Sequence, residues 1–332
     1  MTTPVVPVGL SPYISPSTLM QAPTGIDFTT IPAAGSISFD PAANNAELWN
    51  MCARATSMAD QFCNQLLRAT IDVEVMRGPD YRVTVGPQAG GSTPTPYWAN
   101  AGSNCRMIMS RWPVLSVNNV KVSANAVFPR QWQTVPTGYY EPEVPPYGIY
   151  NSVVPVDDAN GGQAIILAPG YVTRNLGRNG YIIQVNYTNG WPHTTLAANA
   201  TAGTTTLSVA DTTGWALANY EGTITGATGV IRDAGQQEVA NCSSASTISG
   251  PGTLTLSAAT LYPHEVGTVF TTLPAAVEQA CILFCCAQAL VRGATSTTIH
   301  SIGGHSASSS MDIVDLNTEA EVLLHPFKRM IL

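Results

Sequence analysis

Charge is scarce in this sequence. Of its 332 residues, 21 are Asp or Glu and 14 are Lys or Arg, 11% in all, against roughly a quarter in an average soluble domain. No Lys/Arg cluster occurs and the net charge is −7, which argues against a protein that grips nucleic acid through its phosphates. A neutral or acidic wall past which DNA slides remains compatible. Disorder does not account for the shortage, because disordered chains are poor in apolar residues and 45% of this chain is hydrophobic. A surface largely covered by partners does account for it, since interface cores are depleted in Asp, Glu and Lys.

Catalytic signatures are missing too. There is no Gly-rich phosphate loop, no Gly-x-Ser-x-Gly, no His-Glu-x-x-His and no Cys-x-x-Cys. Cys285 and Cys286 are adjacent rather than spaced for a metal, and the pair His300 and His305 has no third ligand nearby. Asp157-Asp158 and Glu141 with Glu143 sit in turn-like sequence and read as solvated turns. The tyrosine-rich passage Tyr139 to Tyr150 has only Arg130 nearby as a cation, so protein contact is favoured over base or sugar stacking. The expectation is a chain that is not an enzyme and carries no cofactor and no metal. The seven cysteines (Cys52, Cys63, Cys105, Cys242, Cys281, Cys285, Cys286) are odd in number and scattered, which suits reduced thiols used as small hydrophobes. Met1 to Leu10 lacks the basic start and apolar run of a signal peptide, so synthesis in the cytoplasm is expected.

What is present predicts an α+β chain. Residues 1–40, rich in Pro, Thr and Gly with sparse anchors at Ile14, Leu19, Ile26 and Phe28, read as an extended arm lying on a neighbour. Asp40-Pro41 opens a helix whose apolar face, Leu48, Cys52, Ala55, Ala59, Phe62 and Leu66, continues to about Arg68. Period two then takes over: Ile71, Val73 and Val75, with Val83 and Val85 after Gly78-Pro79-Asp80, predict a β-hairpin. Further strands are expected near Arg106 to Ser110, Trp112 to Val117, Val120 to Val122, Ala164 to Leu167 and Tyr181 to Tyr187. Five more at 205–209, 223–225, 237–240, 254–256 and 269–271 predict a small antiparallel barrel or sandwich. Pro274 opens a second helix with the stripe Val277, Ala280, Cys281, Phe284, Cys285, Gln288 and Val291, stopped by Gly293 and too short to span lipid comfortably. A Ser/Thr/Gly-rich loop, 294–310, leads to a last short helix from Asp315 to Leu324. The expected organisation is an arm (1–40), a helical core (41–69 and 273–325), a β-rich domain (70–192), an inserted β-module (193–272) and a C-terminal tail (326–332), with Leu48, Cys52, Phe62, Leu66, Val277, Cys281 and Phe284 as the helical core residues.

In that order, Ser15-Pro16-Ser17-Thr18-Leu19, the helix from Glu47-Leu48-Trp49 to Leu67, the run Arg111-Trp112-Pro113-Val114-Leu115-Ser116-Val117 and the segment Gly267 to Gly293 resemble the head-to-tail adaptor (connector) proteins of long-tailed phages, especially those of actinobacterial hosts. The segment Thr204 to Val209 with Thr213-Gly214-Trp215 and Glu238-Val239 looks like a small β-module common in such neck proteins. The resemblance implies a virion protein of the neck: a homo-oligomeric ring, dodecameric in that family, between the portal protein and a downstream stopper or tail-terminator protein. Double-stranded DNA would pass through it without specific binding, and no membrane is involved. It also implies a terminal tail that engages the portal, here Phe327, Lys328, Arg329, Met330, Ile331 and Leu332, whose removal together with Pro326 is expected to spare the fold. The long β-rich stretch 70–270 departs from the minimal adaptor. Two rivals of other classes are a capsid-surface or fibre protein that binds host or glycan through the β-module, and a hydrolase with an unrecognised pocket.

Overall fold

A computed structural model of the chain describes residues 11–31, 41–77, 105–124, 129–136, 140–142, 164–167, 181–218, 224–233, 235–292 and 313–329. In chain order the helices and strands are α1 (Pro16–Gln21), α2 (Pro41–Cys63), β1 (Thr70–Arg77), β2 (Cys105–Ile108), β3 (Val114–Ala124), β4 (Gln133–Thr134), β5 (Tyr140–Pro142), β6 (Ala164–Leu167), β7 (Tyr181–Asn189), β8 (His193–Thr195), β9 (Thr206–Val209), β10 (Ala216–Ala218), β11 (Ile224–Gly226), β12 (Thr228–Arg232), β13 (Glu238–Ala245), β14 (Gly252–Leu256), β15 (Val269–Thr271), α3 (Ala275–Val291) and α4 (Ile313–Leu324). The molecule is mixed α+β, with antiparallel sheets throughout.

The helices form one layer. Helix α3 is apolar nearly all round and buries ten of its residues, because α2, α4 and the N-terminal segment cover it from several sides. The described part of that segment, residues 11–31, corrects that much of the arm expected at 1–40. Ser15 caps α1 by accepting a hydrogen bond from the Thr18 amide at 3.2 Å, and Tyr13, Ile14, Leu19, Ile26, Phe28 and Ile31 are buried in the same core as α2 and α3. Sparse anchors in a Pro-rich sequence seat here on the chain's own helices rather than on a neighbour.

Helix α2 stops at Cys63, five residues before the expected end. Asn64 takes the left-handed conformation, φ 54°, that ends helices. The amides of Leu67 and Arg68 then donate to the Tyr13 hydroxyl, and that of Leu67 also to Asp60 Oδ1, instead of continuing the helical ladder. The stop sets which way the next side chains face: Leu67 turns inward and is fully buried, whereas Leu66 is only half-buried and lies outside the helix core.

One sheet has the order β1-β7-β3-β4 and a second the order β2-β6-β5. Strand β1 pairs with β7, Thr70 opposite Asn189; the expected hairpin partner at Val83 and Val85 lies outside the described residues. Strand β3 is continuous from Val114 to Ala124, with pairing irregularities between Val114 and Ser116 and between Val117 and Asn119, where two strands were expected. Strands β4 and β5 lie where no strand was expected. Helix layer and sheet meet where Trp191 N donates to Leu67 O at 2.9 Å and Ala69 N to Trp191 O at 2.7 Å. Gly190 makes this crossing possible: its φ is +86°, and a Cβ there would sit 2.5 Å from the Arg68 carbonyl oxygen.

The remaining strands form a six-stranded sheet of order β8-β15-β12-β13-β14-β9. It curls so far that its end strands meet at Leu196 and Val209, with Ala210 N donating to Thr195 O at 2.9 Å. Leu196, Leu207, Ile231, Leu254 and Leu256 fill the interior around Trp215, which stacks on Phe270 at 3.9 Å. The small hairpin β10-β11 lies alongside, Cys242 N donating to Ala227 O at 2.9 Å. Among the described residues this module is attached to the rest where Leu217 packs with Ala69 and Leu115, where Arg232 is ion-paired with Glu278 of α3 and where His193 of β8 meets Pro12 and Tyr13. The chain enters by β8 and leaves by β15, which pair directly, His193 opposite Thr271.

Candidate docking surfaces

The expected tail begins in the core. Helix α4 turns Leu316, Ala320 and Leu324 inward and leaves Val314 and Val322 each 67% exposed. A 3-10 turn, His325–Phe327, then carries Phe327 beneath the surface, 1% exposed, stacked against Trp112 at 6.4 Å and edge-on to Trp191 at 5.6 Å. Gln65 Nε2 donates to the Phe327 carbonyl at 2.9 Å, and Arg329 N donates to the Cys63 carbonyl at 2.7 Å. The Lys328 ammonium lies 5.0 Å from the centre of the Phe62 ring. Phe327 is therefore an anchor and not a free docking side chain, which corrects the expectation that residues 326–332 can be removed without touching the fold. Lys328 is exposed and Arg329 half-buried, while Met330, Ile331 and Leu332 lie outside the described residues.

Leu48, Cys52, Val277, Cys281 and Phe284 come together in one cluster, with Phe62 at its margin and Leu66 absent from it. Five cysteines sit within this layer, none in a disulfide. Burial pushes the thiols of Cys63 and Cys286 up to about 12, which removes the thiolate that nucleophilic or metal chemistry would need. At the layer's edge, Glu47 accepts from Arg54 at 2.6 Å and is ion-paired with Arg292. Burial raises this carboxyl, but the hydrogen bonds from Arg292 and Arg54 outweigh it and hold the group below its usual range.

The second surface is the outer face of the four-stranded sheet. Ile71, Val73 and Val75 of β1, an edge strand among the described residues, are 36%, 54% and 53% exposed. Beside them Asn186 and Gln184 of β7, then Asn119 and Lys121 of β3, continue the same rows and line a shallow groove with Val73. The opposite face of β1 carries charge inward. Glu74 accepts from the Ser110 amide at 3.0 Å and from the Ser110 and Tyr187 hydroxyls, and Asp72 accepts from Asn189 at 2.6 Å and Arg111 at 3.2 Å. Burial, reinforced by Glu74, raises the Tyr187 hydroxyl far above its usual value. Inward-facing carboxylates are one device that keeps an edge strand from indiscriminate pairing.

Two buried histidines complete the inventory. His193 contacts the Thr271 hydroxyl at 3.0 Å through Nδ1 and the Pro12 carbonyl at 3.1 Å through Nε2. His264 contacts Asp233 Oδ2 at 3.1 Å through Nδ1 and Glu238 Oε1 at 2.6 Å through Nε2. Neither ring has a nitrogen left to meet a substrate. Among the described residues no group of three His, Cys, Asp or Glu side chains is arranged to hold a metal ion, and no helix is long and apolar enough to cross a membrane. His300, His305, Asp157, Asp158 and Glu143 lie outside the described residues. Sequence reasoning missed the Phe327 socket, although its two walls share a signal: Trp112-Pro113 and Trp191-Pro192 are the same dipeptide, each beside a strand. No family model, curated protein or solved structure matches the chain.

Proposed function

We propose that this chain is a structural head-tail connector of a tailed phage, an adaptor that assembles as a ring between the portal and downstream neck or tail proteins and lines the DNA passage. The observation that carries the reading is a convergence. Four segments resemble phage adaptors: 15–19, 47–67, 111–117 and 267–293. They lie far apart in the chain, yet Leu19, Leu48, Trp112 and Phe284, one from each, belong to a single core. The β-rich stretches that depart from the minimal adaptor attach around that core. The low charge and the exposed row Ile71, Val73, Val75 suit a protomer whose flanks are covered by its neighbours in heterologous contacts.

The tail is tested with a truncation after Arg329, because a cut at Pro326 would also empty the Phe327 socket at about 3–5 kcal/mol. Electron microscopy of neck complexes should find the full chain as a ring against the portal. The truncated chain should retain its melting temperature and lose co-purification with portal. Unchanged co-purification would remove residues 330–332 from the docking role. The capsid-surface or fibre reading draws on the module's exposed Val239, Ile248, Leu261 and Tyr262; finding the chain on capsid faces or fibre tips would establish it in place of the adaptor.

A further inference from the structure

The loop after β14 projects Leu261 and Tyr262 into solvent, 73% and 42% exposed. Exposed apolar side chains gain nothing from the fold, so the loop is held by its neighbours. Thr260 N donates to Thr204 O at 2.9 Å, His264 and Ala200 exchange two backbone bonds of 2.8 Å, and Leu261 N donates to Glu238 Oε2 at 2.7 Å. His264 is the buried end of this arrangement, its side chain fully enclosed between Asp233, just past β12, and Glu238, the first residue of β13.

The two buried histidines differ in their partners. His193 faces one carbonyl, which only accepts, and one hydroxyl, which can donate; a neutral ring satisfies both. His264 faces two carboxylate oxygens. A neutral imidazole has a single N–H, so one of its contacts would set lone pair against lone pair unless the cluster takes up one more proton. With that proton the ring donates at both nitrogens and one positive charge lies between two negative ones. Among the described residues other charged groups nearby do not compete: Glu265 is exposed, the guanidinium of Arg232 is engaged by Glu278, and residues 196–204 bring no titratable side chain.

We propose that Asp233, His264 and Glu238 form a proton-linked latch that fixes the loop presenting Leu261 and Tyr262. The latch is closed when the cluster holds its extra proton and loosens as rising pH removes it. Glu238 is the strategic member, since its second oxygen holds the Leu261 amide directly. Linkage sets the size of the effect: one proton bound in the closed state and released on opening raises the opening constant by up to about tenfold per pH unit.

The test is hydrogen exchange of residues 260–266 in the full chain between about pH 6 and pH 8, the interval in which histidine ordinarily changes charge, corrected for the intrinsic rate. It is paired with nitrogen NMR of the His264 ring. The wild-type loop should lose protection on approach to pH 8, and the ring should carry two N–H protons at the lower pH. In Glu238→Gln the amide can donate to the ring, so no extra proton is required; protection should become independent of pH while the melting temperature stays close to wild type. A single N–H on His264 at about pH 6, or the same pH dependence in wild type and Glu238→Gln, would overturn the latch. Should Glu238→Gln fail to fold, the NMR reading on wild type decides.

Discussion

His193 lies fully buried with its ring edge-on to Tyr13 at 5.3 Å, in a setting that a neutral imidazole protonated on Nε2 completes. Burial pushes its pKa down to about 4. The unfolded chain takes up this proton near the usual 6.5, so the folded state is favoured above that pH and loses ground as pH falls toward 4. The loss amounts to on the order of 3 kcal/mol. Urea unfolding across this interval should show wild type losing about that much more stability than His193→Gln; equal slopes would mean that His193 is already charged in the fold. Residues of this kind are poorly legible in sequence, because their role comes from partners far along the chain: Pro12 and Thr271 for His193, Asp233 and Glu238 for His264. Leu48, Cys52, Val277, Cys281 and Phe284 are legible because each repeats at helical spacing along one face.

Among the elements, α3 is the most legible, with Pro274 at its start and Arg292-Gly293 after it, since a helix buried by others must carry its apolar residues in its own sequence. Helix α2 is legible except at its end, where Tyr13 and Asp60 capture two amides. Strand β8 is not legible: all three of its residues are buried, so His193-Thr-Thr shows no alternation. Gly229 in β12 and the shortness of β4 and β10 likewise hide strands that their neighbours impose. Strand β1 has the opposite character, a clear alternation whose outer row has no cover among the described residues. Val73→Lys should leave unfolding stability within about 0.5 kcal/mol, as for other exposed positions, and abolish self-association in sedimentation. Self-association that survives the substitution would move the proposed ring contact to another face.

At the scale of the whole molecule, the contacts of the curled β-module with the rest, among the described residues, include the β8-β15 neck with His193 against Pro12 and Tyr13, the Leu217 contact and the Arg232–Glu278 pair. Replacing residues 194–270 with Asn-Gly should let His193 and Thr271 close as a tight hairpin. Circular dichroism and calorimetry should then show a helical chain that still unfolds cooperatively at a lower midpoint. A non-cooperative melt would mean that the module is part of the single folding unit.

The neck has a consequence for the history of such a chain. Because its two ends lie one strand spacing apart, about 5 Å, whatever occupies the gap need only bring its own termini together. A gene can exchange this cassette for another without redrawing the helices beneath it. The same doorway would accept a fluorescent or affinity domain as a passenger, with the helix layer as an unaltered chassis.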